Sequence, residues 1–180
     1  MLNDNTYSLG ESTINIGGRE YRVRYSLNAL LCLERQYKPL REIIQTDVDR
    51  WDWETVIQLA YAAMADMPWN KRAVKKGSFD RLRPSAEEIN RELEPQDLNR
   101  LRYELAAAVN NSLPPINEGS SDDGTATDEG HYYVLAKYIV GMSEAEYWQS
   151  NLRRLDYIIT RYLEAKGYKP AAIKVQQYDD

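Results

Sequence analysis

Residues 13 to 37 leave the chain few ways to begin folding. Thr13-Ile-Asn-Ile16 is followed by Gly17-Gly18, by Arg19-Glu-Tyr-Arg-Val-Arg-Tyr25, and by Ser26 ahead of Leu-Asn-Ala-Leu-Leu-Cys-Leu-Glu-Arg-Gln-Tyr37. A Gly-Gly pair supplies positive φ at both positions of a two-residue hairpin loop, which sets Ile16 opposite Arg19 and Ile14 opposite Tyr21. In that register Ile14, Ile16, Tyr21, Val23 and Tyr25 share one face, while Asn15, Glu20, Arg22 and Arg24 share the other. Ser26 falls where an N-cap belongs, its hydroxyl placed to accept from the first free amides of a helix. A lone hairpin with one apolar face is not stable in water, so the pattern predicts a helix or a partner covering that face.

The rest of the chain reads as helices separated by clear stops. Lys38-Pro39 ends the first helix, and Leu40 to Gln45 forms a short second one starting at Pro39. From Trp53, Val56, Ile57, Ala60, Tyr61 and Met64 recur with helical spacing, and that helix should end before Pro68. The stretch Pro68 to Pro84 reads as an irregular or short helical connection. Ser85 and Glu88 form a capping box, and a helix from Ala86 restarts at Pro95 with an inward stripe of Leu98, Leu101, Leu105 and Val109. Leu113-Pro114-Pro115 stops it. Asn117 to Gly130, rich in Gly, Ser, Asp, Thr and Glu, has the composition of a flexible acidic linker. Beyond it Tyr132 to Val140 forms one helix closed by Gly141. Ser143 and Glu146 cap another, striped by Trp148, Leu152, Leu155, Ile159 and Tyr162 and ending at Gly167.

The expected fold is therefore mainly α: an N-terminal two-stranded β-hairpin packed on a helical bundle, plus a small C-terminal helical segment after a flexible linker. The expected boundaries are 1–115 for the hairpin and helical domain, 116–131 for the linker, 132–167 for the C-terminal helical pair and 168–180 for a tail. A helical pair that small buries too little to fold alone, so it should dock on the first domain, on a second copy or on another protein.

The inventory of reactive groups argues against an enzyme. His131 is the single His and lies beside the linker, and Cys32 is the single Cys, inside the apolar run of the first helix. A chain so supplied cannot ligate zinc in the usual way or make an intramolecular disulfide, and a reducing, cytosolic setting is expected. Neither Asp47/Asp49/Asp52 nor Asp122/Asp123/Asp128/Glu129 has the spacing of a calcium loop, and no phosphate-loop glycine motif follows Gly17-Gly18. No catalytic, cofactor-binding or metal residue is assigned and no cofactor is expected. The N-terminus carries no leader pattern, and no apolar run approaches the roughly 20 residues of a membrane span, so no membrane partner is expected. Lys71 to Arg83 holds six cations and one Asp, but the formal charge of the chain is -5 and no recognition helix accompanies the cluster. Nucleic acid is not the expected partner; a solvated loop or a patch for an acidic protein segment fits as well.

Aromatic content is skewed, with 14 Tyr and 4 Trp against one Phe, a usage that suits surfaces apolar in body and polar at the tip. At least one of Trp51 and Trp53, which bracket Asp52, should be buried. Trp51, Trp53, Trp69, Tyr147, Trp148, Leu152 and Leu155 are the candidates for partner contact.

The order short strand, Gly-Gly turn, Arg19-Glu-Tyr-Arg-Val-Arg-Tyr25, then Ser26-Leu-Asn-Ala-Leu-Leu-Cys-Leu-Glu34, resembles the N-terminal part of tail assembly chaperones of long-tailed, siphovirus-like bacteriophages. Gly141-Met-Ser-Glu-Ala-Glu-Tyr-Trp148 resembles a short signature in the C-terminal portion of the same group. The resemblance implies a non-catalytic factor that coats the tape measure protein, recruits tail-tube subunits, works in the cytoplasm of the infected bacterial host and is absent from the finished virion. It also implies a short and an extended form made by translational frameshifting, although Asn117 to Gly130 holds no Lys of the kind slippery codons often encode. Weak, multivalent binding through helical stripes and Tyr/Trp patches is the expected mode, with a homo-oligomer possible. The competing class is a virion structural protein, a tail or head-tail connector subunit, using the hairpin edge for strand addition. A nucleic-acid-binding regulator and an enzyme follow behind.

Overall fold

A computed structural model describes residues 10–113 and 133–167. It is mainly helical, with an N-terminal two-stranded antiparallel hairpin of β1 (Ser12–Ile16) and β2 (Arg19–Val23). The register is the predicted one, Ile14 opposite Tyr21 and Ile16 opposite Arg19. Gly17 and Gly18 take φ of 56° and 77°, the two positive values of a type I′ turn. Ile14, Ile16, Val23 and Tyr25 are buried, whereas Glu20 and Arg22 are exposed.

Ser26 caps α1 (Leu27–Gln36), its hydroxyl accepting from the Ala29 amide at 3.2 Å. Leu40–Ile44 forms α2 behind Pro39, and Asp52 caps α3 (Trp53–Ala63) by accepting from the Thr55 amide at 2.7 Å. Helix α3 is the centre of the domain: Val56, Leu59 and Ala60 are fully enclosed, and α1, α5 (Ala86–Glu92) and α6 (Asp97–Ser112) all pack on it. Between α3 and α5 the chain makes short helical turns, including α4 (Lys71–Lys75). Buried Phe79 and Leu82 pin this connection to the core. Ser85 and Glu88 form the expected capping box at the start of α5.

Helix α6 closes the hairpin. Its Glu104 carboxylate accepts from the Asn15 amide at 2.8 Å, and Arg100 donates to the Asn15 carbonyl at 3.2 Å, so side chains complete the outer edge of β1. The stripe is Leu101, Leu105, Ala108, Val109 and Ser112, with Leu98 only half-buried.

The C-terminal part differs from the expectation in two ways. Leu135–Val140 is wound as a π-helix, closed by Gly141 at φ 82°. The single striped helix expected from Ser143 to Gly167 is two, α7 (Glu144–Trp148) and α8 (Leu152–Ala165), broken at Gln149 and Ser150. The break has a cause outside the local sequence: the Ser150 carbonyl turns out to accept from the Leu27 amide at 3.0 Å, and Ser26 pairs with Asn151 as an isolated antiparallel bridge. Asn151 then restarts the helix as N-cap, accepting from the Arg154 amide at 2.8 Å. Of the three docking possibilities, these helices take the first domain. Leu27 of α1 joins Ala136, Tyr147 and Leu155 in a small second core, and Arg153 reaches back to the Leu113 and Asn110 carbonyls at the end of α6. The expected linker and the expected tail both lie entirely outside the described residues.

Gly10 sits where these parts converge. It has φ 81°, and an added Cβ would stand against the Asn151 side-chain amide and 2.7 Å from the Asn111 carbonyl oxygen. Gly18 has φ 77° but open space around it. Urea unfolding should therefore show Gly10→Ala losing about 2–4 kcal/mol from backbone strain and overpacking together. Gly18→Ala, which adds the strain alone, should lose about 1 kcal/mol.

Candidate partner-binding groove

The short helices α4 and α7 leave an open groove of about 680 Å³ on one side of α1. Leu31 on α1, Val74 on α4 and Trp148 on α7 supply apolar lining. Arg35, Lys71 and Lys75 bring positive charge to it. Each arrives for a local reason. Leu31 and Arg35 are four residues apart on one helical face, and the Arg35 guanidinium lies 5.5 Å from the centre of the Phe79 ring. The hydroxyl of Ser143 and the carboxylate of Glu146 cap α7, which fixes where Trp148 emerges. The Trp148 ring stands edge-on to Tyr147, whose ring meets Tyr133 in the same way.

One carboxylate, Asp66, lies in the depth of the groove wall. Arg24 approaches it at 3.4 Å and the Asn28 side-chain amide donates to it at 3.2 Å. Burial nonetheless outweighs these partners and pushes its pKa above the ordinary carboxylate value. Cys32 is fully enclosed in the main core, and burial pushes its thiol up to about 12, so it is an inert core residue. Among the described residues no group of three or more His, Cys, Asp or Glu is placed to hold a metal ion. No described helix is long and apolar enough to cross a membrane.

The residues that the sequence offers for partner contact are dispersed. Trp51 is 3% exposed, with its indole N–H donating to the Thr46 carbonyl at 3.1 Å; Tyr147 and Leu155 are buried in the second core. These three are taken up by packing within the chain. Trp53 is half-buried and donates to the Asn90 side chain at 2.6 Å, while Leu152 packs half-buried against the second core. Trp69 is 56% exposed in a separate cleft, its N–H on the Arg83 carbonyl at 2.8 Å. Trp148 alone among the seven lines the groove. Sequence reasoning missed Asn28, Leu31, Arg35 and Val74; the basic run around Lys71 and Lys75 was the one visible signal.

Comparison with known proteins brings no relative: no protein-family model, curated protein or solved structure matches the chain.

Asp66 and Asp52 should respond to pH with opposite signs. The raised pKa of Asp66 means that its buried charge weakens the fold above the folded-state pKa and that protonation relieves this as pH falls. Hydrogen bonds from Thr55 hold Asp52 below its ordinary value, so its contribution is present above the unfolded-state pKa and is lost as pH falls through the folded one. In urea unfolding between about pH 7 and about pH 4, wild type should gain stability relative to Asp66→Asn. Its advantage over Asp52→Asn should hold across that window and shrink only below about pH 4.

Proposed function

We propose that this protein is a non-catalytic tail assembly chaperone of a long-tailed bacteriophage, holding the helical tape measure protein soluble and recruiting tail-tube subunits to it. One observation carries the reading. The two segments that bear the family resemblance, Thr13 to Glu34 and Gly141 to Trp148, are more than a hundred residues apart in the chain, yet the Ser26 to Glu34 part of the first lies beside the second in the fold. Both contribute to one groove, through Asn28 and Leu31 on one side and Glu144, Ala145 and Trp148 on the other. Resembling patches that merely stabilised separate elements would have no reason to share a surface. An open groove with a partly apolar lining and a charged rim suits transient binding of a client segment better than permanent assembly, because its polar rim stays compatible with water when empty. On this reading the protein acts in the cytoplasm of the infected cell and leaves before the virion is complete.

A second reading, a virion structural subunit, is favoured by one feature. The outward backbone groups of Glu20 and Arg22 on β2 have no hydrogen-bond partner among the described residues, in contrast to the covered edge of β1. Such an edge can accept a strand from a neighbour.

Co-expression with a tape measure protein from the same genome separates the readings. The chaperone should carry that client into the soluble fraction, co-elute with it on gel filtration and be missing from purified particles by mass spectrometry. A client that stays insoluble, or stoichiometric amounts of this chain in the particle, would count against it.

A further inference from the structure

Many cations elsewhere on the described surface have partners, although Arg19, Arg22, Arg41 and Arg91 pair with no carboxylate among the described residues. Arg24 meets Asp66, Arg83 meets Glu88, Arg100 meets Asp97 and Glu104, and Arg161 meets Glu164. Arg102 and Arg153 donate to the Trp51 and Leu113 carbonyls. Around the groove such cations cluster: Arg35, Lys71 and Lys75 all face it with no carboxylate within ion-pair distance among the described residues. Arg72 and Lys76, their neighbours in sequence, are likewise without one. The two carboxylates in the groove walls are already engaged, Asp66 by Arg24 and Asn28, and Glu144 by Lys137 at 3.8 Å. A chain whose formal charge is -5 therefore concentrates uncompensated positive charge at one concave, partly apolar place.

We propose that the groove binds a short acidic segment of a partner protein that also carries a bulky apolar side chain, the carboxylates facing Arg35, Lys71 and Lys75 and the apolar group resting on Leu31, Val74 and Trp148. The inference rests on the reading that this chain binds a protein client, and it names the chemistry of the segment recognised. Charge and shape both select such a ligand. The cations are spread along the rim, so they attract a run of carboxylates, and the apolar lining rewards a side chain that a phosphate backbone lacks. Asp66 and Glu144 in the walls add repulsion against a uniformly anionic polymer. Arg35 is held in place before any ligand arrives. Its guanidinium lies against the Phe79 ring, and a Cβ on Gly77 would come within 3.4 Å of its Nη1. The ordering cost of binding is reduced accordingly.

The test uses the full chain and a labelled synthetic helical peptide with Glu on one face and Leu and Trp on the other. Fluorescence anisotropy compares it with the same peptide carrying Gln or Lys in place of Glu, and with a labelled single-stranded oligonucleotide. The acidic peptide should bind, the Gln and Lys versions should bind about tenfold more weakly or not at all, and affinity should fall between about 50 and about 300 mM salt. The double variant Lys71→Glu/Lys75→Glu should lose binding of the acidic peptide and gain binding of the Lys peptide. Both residues are exposed, so circular dichroism and thermal melting should match wild type. Arg91→Glu, remote from the groove, should bind as wild type does. Equal binding of acidic and neutral peptides, retention of binding by the double variant, or binding of the oligonucleotide in preference to the acidic peptide would overturn the proposal. The proposed function fails separately. If the double variant still solubilises the full-length client, the groove assignment falls and the chaperone reading stands. If wild type binds the peptide but leaves the client insoluble, the reverse holds.

Discussion

The passage from hairpin to helix at Tyr25, Ser26 and Leu27 decides how the rest of the molecule attaches. A strand that turns directly into a helix leaves buried backbone amides without partners in either element, and each costs about 1–3 kcal/mol if left unmet. Here two of them are met from a distance. Ser112 at the end of α6 accepts from the Tyr25 amide at 2.9 Å, and the Ser150 carbonyl accepts from Leu27. Ser26, Ser112, Ser150 and Asn151 are essentially inaccessible to solvent. This buried polar seam fixes where the C-terminal helices sit, because moving them would leave the Leu27 amide and the Ser150 carbonyl unpaired in the interior.

Function, on the account proposed, is a consequence of that seam. Once Ser150 is held against Leu27, α7 must run beside α1, and Trp148 must come out opposite Leu31. The connection between α3 and α5 closes the third side because Phe79 and Leu82 are buried and Asn70 ties it to the core, donating to the Met64 carbonyl and accepting from the Arg83 amide. The cations of α4 are thereby carried to the rim. Neither the apolar lining nor the positive charge belongs to one element, so the groove exists only when all three have docked.

The elements with local signals were legible in the sequence. The Gly17-Gly18 turn fixed the strand register, Ser26, Ser85 and Ser143 marked helix starts through side chains that reach their own backbone, and Pro39 and Pro68 marked stops. The break at Gln149 and Ser150 was not legible, because the stripe from Trp148 through Leu152 and Leu155 keeps helical spacing across it and its cause is a hydrogen bond to a residue more than a hundred positions away. The candidate site was mostly hidden for the same reason. Apolar spacing identifies a buried stripe without saying what covers it, so Trp51, Tyr147 and Leu155 read as surface candidates although the fold uses them internally. Arg35, Lys71 and Trp148 come together only through tertiary packing.

Photo-crosslinking in cells that also make the client tests the central claim most directly. A photoreactive amino acid placed at Ala145 or Gln149, on the groove, should capture the client, while the same group at exposed Ala107 on α6 should not. Capture from Glu20 on the β2 edge, with none from Ala145 or Gln149, would contradict the account and move the functional surface to the hairpin.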